Sequence, residues 1–292
     1  MVHKITYIST LYNKSDYIIR VLESICNQDT NNFIKEIIVI DDGSTDDSYQ
    51  KVLDFKRYSP IPINVISQAN KGPSAALNAA LRVLSGDFVC FVDADDVLLP
   101  YATSLMIEYL EKNKVDVVFG KIAENYNEIE DYCITDFKTK RYSKPIKETL
   151  QSLSVVGATR SLAKVDIIKK AGFCNENIRT QDYQLTLSIC RFTDFLFIDK
   201  YLAYNLAPKS ERFSFDKKRE INDINLSLLD FLLKNQDLPK NLIKFGINRC
   251  LRRLKRFKKI SFFKYIKYKI LLIIHISNPS NIITNILTFI NK

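Results

Sequence analysis

Apolar residues along this chain recur with two alternating periods. Residues 5–9 (ITYIS) form a short β-type run. After Ser15 and Asp16 the apolar positions are Ile18, Ile19, Leu22 and Ile25, the spacing of one helix face, with Ser15 or Asp16 as its N-cap. Residues 36–40 (EIIVI) read as a second strand buried on both faces, and 46–55 as a helix. Residues 63–66 are a third strand. Gly72 and Pro73 open a helix over 74–84, Gly86 ends it, and 88–92 (FVCFV) is a fourth strand. Strands alternating with helices, with continuous apolar runs in the strands, predict an α/β fold: a mostly parallel central sheet with helices on both faces. Ligands of such sheets bind at the carboxyl ends of the strands. Those ends carry the polar clusters Tyr12-Asn13, Asp41-Asp42, 68–72 and 93–96.

Further along, 100–113 reads as a helix, 115–120 as a strand, and 121–150 as loops and short strands. Helices are expected at 160–171, ending at Gly172, and at 181–192, with a strand at 195–198. Residues 216–234 read as a helix with Asn222, Asn225 and Asp230 on its wet face. Two or three more helices fill 239–292, broken near Ser261 and at Asn278-Pro279. The expected division is 1–210 as the sheet domain and 211–292 as a helical C-terminal region. No uninterrupted 18-residue apolar stretch occurs, so no spanning helix is expected, and no secretory signal is read at the N-terminus.

Charge changes the picture more than composition does. The 292 residues are 46% hydrophobic with only 7 Gly and 8 Pro, which excludes fibrous and low-complexity classes. Two histidines, His3 and His275, exclude a His-rich metal site. Six cysteines without a C-x-x-C pair read as buried free thiols. The net charge of +10 is concentrated: no Asp or Glu follows Asp237, while thirteen Lys and Arg lie in 240–292. The body is near neutral, and arguments about acidic partners belong to the tail.

Three clusters carry candidate chemistry. Asp93 and Asp95, two apart at a strand end, point the same way and can hold a hard cation that also binds phosphate oxygens, Mg or Mn rather than Zn; alone, they read more readily as a solvated turn capping the next helix, because short acidic motifs are common. In 41–46 (DDGSTD), Asp42 can accept hydrogen bonds from a base or ribose, or the segment can be a plain Asp-Gly turn with Ser44 as N-cap. In 68–72 (QANKG), backbone N–H groups at Gly72 can face an anion with Lys71 adding charge, or form an ordinary strand–helix loop.

Taken in order, Tyr12-Asn13, DDGSTD, Asn70-x-Gly72 with Ala76 and Asn78, and DADD resemble the inverting family 2 glycosyltransferases of the GT-A fold, over about residues 3–210. The resemblance implies that Thr10, Tyr12 and Asp42 contact the nucleotide, that Asn70 and Gly72 line the nucleotide and sugar site, that Asp93 and Ala94 meet the ribose, and that Asp95 binds a Mn or Mg ion on the diphosphate. The family's acidic pair after a Gly-x-Phe segment corresponds here to 172–176 followed by Gln181-Asp182, which makes Asp182 the catalytic base. Asp182 also suits a helix N-terminus for dipole reasons alone. Leu77 stands where many relatives carry Arg. Asn205 and Ala207 stand where many carry the Arg and His of Tyr-Arg-x-His, with Lys209 or Arg212 as substitutes for the charge. The absence of Trp excludes the processive Gln-x-x-Arg-Trp motif. The implied reaction moves one sugar, with uridine as the family-level base, from a nucleotide-diphosphate sugar to a hydroxyl of a glycan or lipid-linked acceptor in surface polysaccharide or lipopolysaccharide synthesis. A nucleotidyltransferase acting on sugar phosphates and a non-catalytic nucleotide-sugar-binding protein are the competing readings.

The tail interleaves Arg249, Arg252, Arg253, Lys255, Arg256, Lys258, Lys259, Lys264, Lys267 and Lys269 with Leu251, Leu254, Phe257, Phe262, Phe263 and Ile266. A solvated basic face and a nucleic-acid surface are both open readings of such a segment. The aliphatic content favours an anionic membrane surface through 240–292, on the cytoplasmic inner face, over nucleic acid.

Overall fold

The computed structural model describes residues 3–29, 33–130, 137–208, 210, 217–257, 260–274 and 279–290. The chain runs β1 (His3–Leu11), α1 (Ile18–Cys26), β2 (Phe33–Asp41), α2 (Ser48–Lys56), β3 (Ile63–Ser67), α3 (Pro73–Val83) and β4 (Phe88–Phe91). It continues through β5 (Asp96–Leu98), α4 (Ala102–Asn113), β6 (Val117–Ala123), α5 (Asn127–Glu130), β7 (Thr139–Tyr142) and α6 (Ile146–Gln151). Then come β8 (Ser161–Lys164), α7 (Val165–Ala171), α8 (Gln181–Ile189) and β9 (Phe195–Asn205). The helices α9 (Lys217–Lys234), α10 (Lys240–Arg256), α11 (Phe262–Ile274) and α12 (Ser280–Ile290) follow.

The strands form one sheet in the order β3-β2-β1-β4-β8-β6-β9-β5, with β7 on β9. The first four strands are parallel, as their apolar runs predict. Beyond β4 the sheet is mixed, because β8 runs antiparallel between β4 and β6. Successive strands step outward from β1 to β3, and the chain then returns to place β4 on the other side of β1. This reversal opens a crevice at the carboxyl ends, the usual ligand position in such sheets. Ile5, Tyr7, Val39 and Cys90 fill the core under it. Burial pushes the Cys90 thiol up to about 12, so it stays neutral.

Several local expectations are corrected. Neither Ser15 nor Asp16 caps α1; Tyr17 holds that position without a side-chain cap. Residues 161–164 are strand rather than helix, since they pair with β4 and β6. β5 is a three-residue strand with no periodicity of its own, made by pairing with β9. Asn225 is not on a wet face but fully buried, with its Oδ1 3.4 Å from Arg253 Nη1. Five described cysteines are free, four of them buried; Cys133 lies outside the described residues.

The chain divides into two compact units. The first comprises 1–145 and 154–212; the second comprises 146–153 and 213–292. In the second, Ile243, Ile247, Leu251 and Leu254 give α10 a buried face. Arg249 donates from Nη2 to the Gln151 carbonyl at 2.9 Å, and Arg253 reaches the Ser152 hydroxyl. Two of the tail's cations therefore tie α6 to α10 instead of facing water.

Candidate active site

The first cluster lies at the ends of β1, β2 and β3, where the register sets Leu11, Asp41 and Ser67 in one row. Thr10 is half-buried beside Ile40, and Tyr12 is 46% exposed. Asn13 fastens the β1 loop to the DDGSTD turn: its Oδ1 accepts the Thr45 N–H at 2.8 Å and its own N–H donates to Ser44 Oγ at 3.1 Å. Gly43 has φ +72°, and a Cβ there would sit 2.8 Å from the Asn70 backbone nitrogen, so only glycine lets the two loops meet.

Asp42 is buried and joins those loops. Its Oδ2 accepts the Gly72 N–H at 2.8 Å; its Oδ1 accepts the Lys71 N–H at 2.9 Å and Gln68 Nε2 at 2.8 Å. The N–H groups at the start of α3, read from the sequence as open to an anion, are thus taken by a carboxylate of the chain itself. Asp42 is only 4% exposed, while Asn70 and Lys71 beside it are exposed.

The second cluster follows β4. Thr159 Oγ1 accepts the Asp93 N–H at 2.9 Å and donates to Asp96 Oδ2 at 2.7 Å, fixing the turn that carries buried Ala94. Burial, then the charges of Asp96, Asp95 and Asp182, hold the Asp93 carboxyl well above the usual carboxylate range. Asp95 Oδ2 lies 2.7 Å from Lys14 Nζ. The segment where relatives carry Arg and His lies against the same turn: the Leu206 N–H donates to the Asp95 carbonyl at 2.8 Å, Asn205 Nδ2 to the Ala123 carbonyl at 2.8 Å, and Ala207 is buried. Lys209 and Arg212 lie outside the described residues.

Asp182 opens α8, close enough to Asp93 to act on its charge. Ser154 Oγ donates to Asp182 Oδ2 at 2.8 Å. Gly157, at φ +90°, lets the 154–160 segment lie against it, since a Cβ would come 3.1 Å from Asp182 Cα. Arg160 donates from Nη2 to the Ser154 carbonyl at 3.3 Å; burial lowers its pKa, and the charge of Asp182 works against that shift. On α3, Asn78 grips the loop before α8: its Oδ1 accepts the Cys174 N–H at 2.8 Å, and its Nδ2 donates to the Cys174 carbonyl at 2.9 Å and to Glu176 Oε1 at 3.0 Å. Gln184 Nε2 and Ser74 Oγ meet at 3.0 Å on the same seam. Leu77, the position of the missing Arg, is core at 2% exposure.

Asp42, Asp93, Asp95 and Asp182 therefore share one crevice edge. Lys14, Ser154, Thr159 and Arg160 belong with them and were not read from the sequence; loops bring them in, without any periodic spacing to announce them. Among the described residues no three His, Cys, Asp or Glu side chains group as a metal site. The donor set still fits a hard cation completed by water and phosphate oxygens, which needs only one or two carboxylates.

The glycosyl transferase family 2 model matches residues 6–172. The chain belongs to this family. Chondroitin synthase of Escherichia coli is 30% identical over 80% of this chain and 32% of its own length. The chain spans about a third of the length of other curated glycosyltransferases it matches. Staphylococcus aureus TarS 1–349, solved with UDP-GlcNAc, superposes with a TM-score of 0.64 at 22% identity, over 87% of this chain and 73% of that one. A Pyrobaculum calidifontis mannosyltransferase, solved with GDP-Man and Mn2+, superposes with a TM-score of 0.59 at 15% identity, over 98% and 84%. These likenesses establish the GT-A fold.

Proposed function

We propose that this chain transfers one sugar, with inversion, from a nucleotide-diphosphate sugar to a hydroxyl of a glycan or lipid-linked acceptor. The observation that carries the reading is the meeting of Asp93 and Asp95 with Asp182 on the carboxyl edge of the sheet, with the Asp42 loop beside them. UDP-GlcNAc bound to TarS and GDP-Man bound to the mannosyltransferase support a nucleotide sugar as donor, with a uridine nucleotide as the first candidate. Poly(ribitol-phosphate) and chondroitin, in the names of relatives, support a surface-glycan acceptor.

Thr10, Tyr12 and the Asp42 loop with Asn70 and Gly72 take the nucleoside end, and Asp93 and Ala94 the ribose. Asp95 holds a Mn or Mg ion, which when bound offsets charge on the diphosphate. Ser154 holds Asp182 Oδ2 and fixes the carboxylate's rotation, leaving Oδ1 to receive the proton. The acceptor oxygen bonds to the anomeric carbon as the bond to the diphosphate breaks, and its proton passes to Asp182. A free Asp, with pKa ~3.9, is a weak base at neutral pH. It serves if proton transfer is late and positioning supplies much of the rate.

The proposed division of labour gives the transfer to 1–210 and surface association to 211–292. Phe257, Phe262, Phe263, Ile266 and Ile270 are exposed, Phe263 at 85%, among Lys255, Arg256, Lys264 and Lys267. Exposed aromatics rimmed by cations suit an anionic lipid surface, placing the enzyme on the inner face of a cell membrane. No described helix is long and apolar enough to cross a membrane.

Thermal shift with UDP, GDP, dTDP and CMP, each with and without Mn2+, tests the donor site. Saturation at a hundredfold over Kd stabilises by about 2.7 kcal/mol, a rise of several degrees. A single responsive nucleotide diphosphate, with Mn2+ dependence lost in Asp95→Ala, is expected. No response to any nucleotide would overturn the transferase reading and leave the membrane-facing surface of 211–292 as the function to pursue, and pyrophosphate as product would favour a nucleotidyltransferase.

A further inference from the structure

The geometry points to Lys14 as an internal counter-cation that competes with a divalent ion for Asp95 and is released to the donor's diphosphate. The inference rests on Asp95 being the metal carboxylate. Lys14 leaves the end of β1, and Asp95 follows β4, its neighbour in the sheet. Their 2.7 Å ion pair therefore spans the crevice where the strand order reverses. Both side chains are largely shielded, at 20% and 17% exposure. The pair is built rather than casual. The Lys14 N–H donates to Ser48 Oγ at 2.8 Å, and its ammonium lies 5.7 Å from the Tyr17 ring centroid. Asn13, Ser15, Asp16, Tyr17 and Asp46 line the adjoining cleft of about 260 Å³.

A carboxylate oxygen in contact with an ammonium cannot also bind a divalent ion without bringing two cations within a few ångströms. The repulsion at that range, in a shielded site, exceeds what it would be in open water. The Lys14 ammonium on Oδ2 therefore works against metal binding at Asp95, and the free protein holds metal more weakly than it would without that charge. A nucleotide diphosphate relieves the conflict, because its oxygens accept the displaced ammonium and share the metal. Metal and nucleotide then bind cooperatively, each raising the other's affinity by the same factor. Asn205 and Ala207, which supply no charge here, lie against the Asp95 turn, and among the described residues Lys14 is a cation in contact with that carboxylate.

Mn2+ alone, titrated into the full chain and followed by the EPR signal of the free ion, tests this. Lys14→Met keeps the aliphatic stem and loses the charge; Lys14→Gln is the second variant should Met impair folding. Either binds Mn2+ roughly five-fold more tightly than wild type. Lys14→Arg restores the weaker binding, and Asp95→Asn in the Lys14→Met background abolishes the gain. UDP raises Mn2+ affinity in wild type more than in Lys14→Met. Unchanged or weaker Mn2+ binding in both neutral variants, a gain that survives Asp95→Asn, or no Mn2+ binding in any form overturns the inference. A failure of the transferase reading shows separately, as absence of any nucleotide response in thermal shift.

Discussion

Asn78 ties α3 to the loop that leads into Asp182, and it does so with one amide making three hydrogen bonds. It is 1% exposed, so truncation leaves the Cys174 backbone N–H and carbonyl without partners in the interior. Asn78→Ala should cost about 3 kcal/mol, read as a fall in the urea midpoint. A loss under ~0.5 kcal/mol would mean that the loop is held elsewhere. The residue types of this seam were legible as a motif, but their work was not. Leu77 stands where many relatives carry Arg, yet here it is core, and its neighbours Ser74 and Asn78 form a latch. Asp42 shows the same limit. Its carboxylate is visible in DDGSTD, whereas its bonds to Lys71, Gly72 and Gln68 depend on β2 and β3 ending side by side.

At the scale of elements, the first four strands and their helices follow from periodicity because β1, β2 and β4 hold continuous buried runs, while α1 and α2 each bury one apolar stripe; β3, at the sheet edge, has only Ile63 buried. β5 and β8 did not follow. They are short, and their hydrogen bonds come from β9, β4 and β6, partners far away in sequence. The α10–α11 turn was legible as basic and apolar, but not which cations face outward. Arg249 and Arg253 bond inside the second unit, while Phe262, Phe263, Ile266 and Ile270 form an exposed stripe on α11. Phe262→Ser with Phe263→Ser should cut sedimentation with phosphatidylglycerol vesicles at least several-fold. Phosphatidylcholine vesicles should retain little of either protein. Equal sedimentation of wild type and variant would count against this surface. Loss of binding to anionic vesicles in high salt is expected too, since surface charges are screened over about 8 Å at physiological ionic strength.

For the whole molecule, the order β3-β2-β1-β4 matters most, because it brings a loop from each of four strands to one edge. Asp182 reaches that edge from α8, held by Ser154 and by the 154–160 segment. The first half of this assembly could be read from alternating elements and their polar ends. The second half could not, since Ser154, Thr159 and Arg160 are placed by tertiary packing alone. In the proposed reaction this edge moves a sugar with Asp182 as proton acceptor. Its most direct measurement compares wild type with Asp182→Asn, supplying the sugar form of whichever nucleotide stabilises the protein, and follows nucleoside diphosphate release and binding together. Unchanged nucleotide affinity and release slowed by about 10²–10⁴ are expected in the variant. Release at the wild-type rate from Asp182→Asn would contradict this reaction.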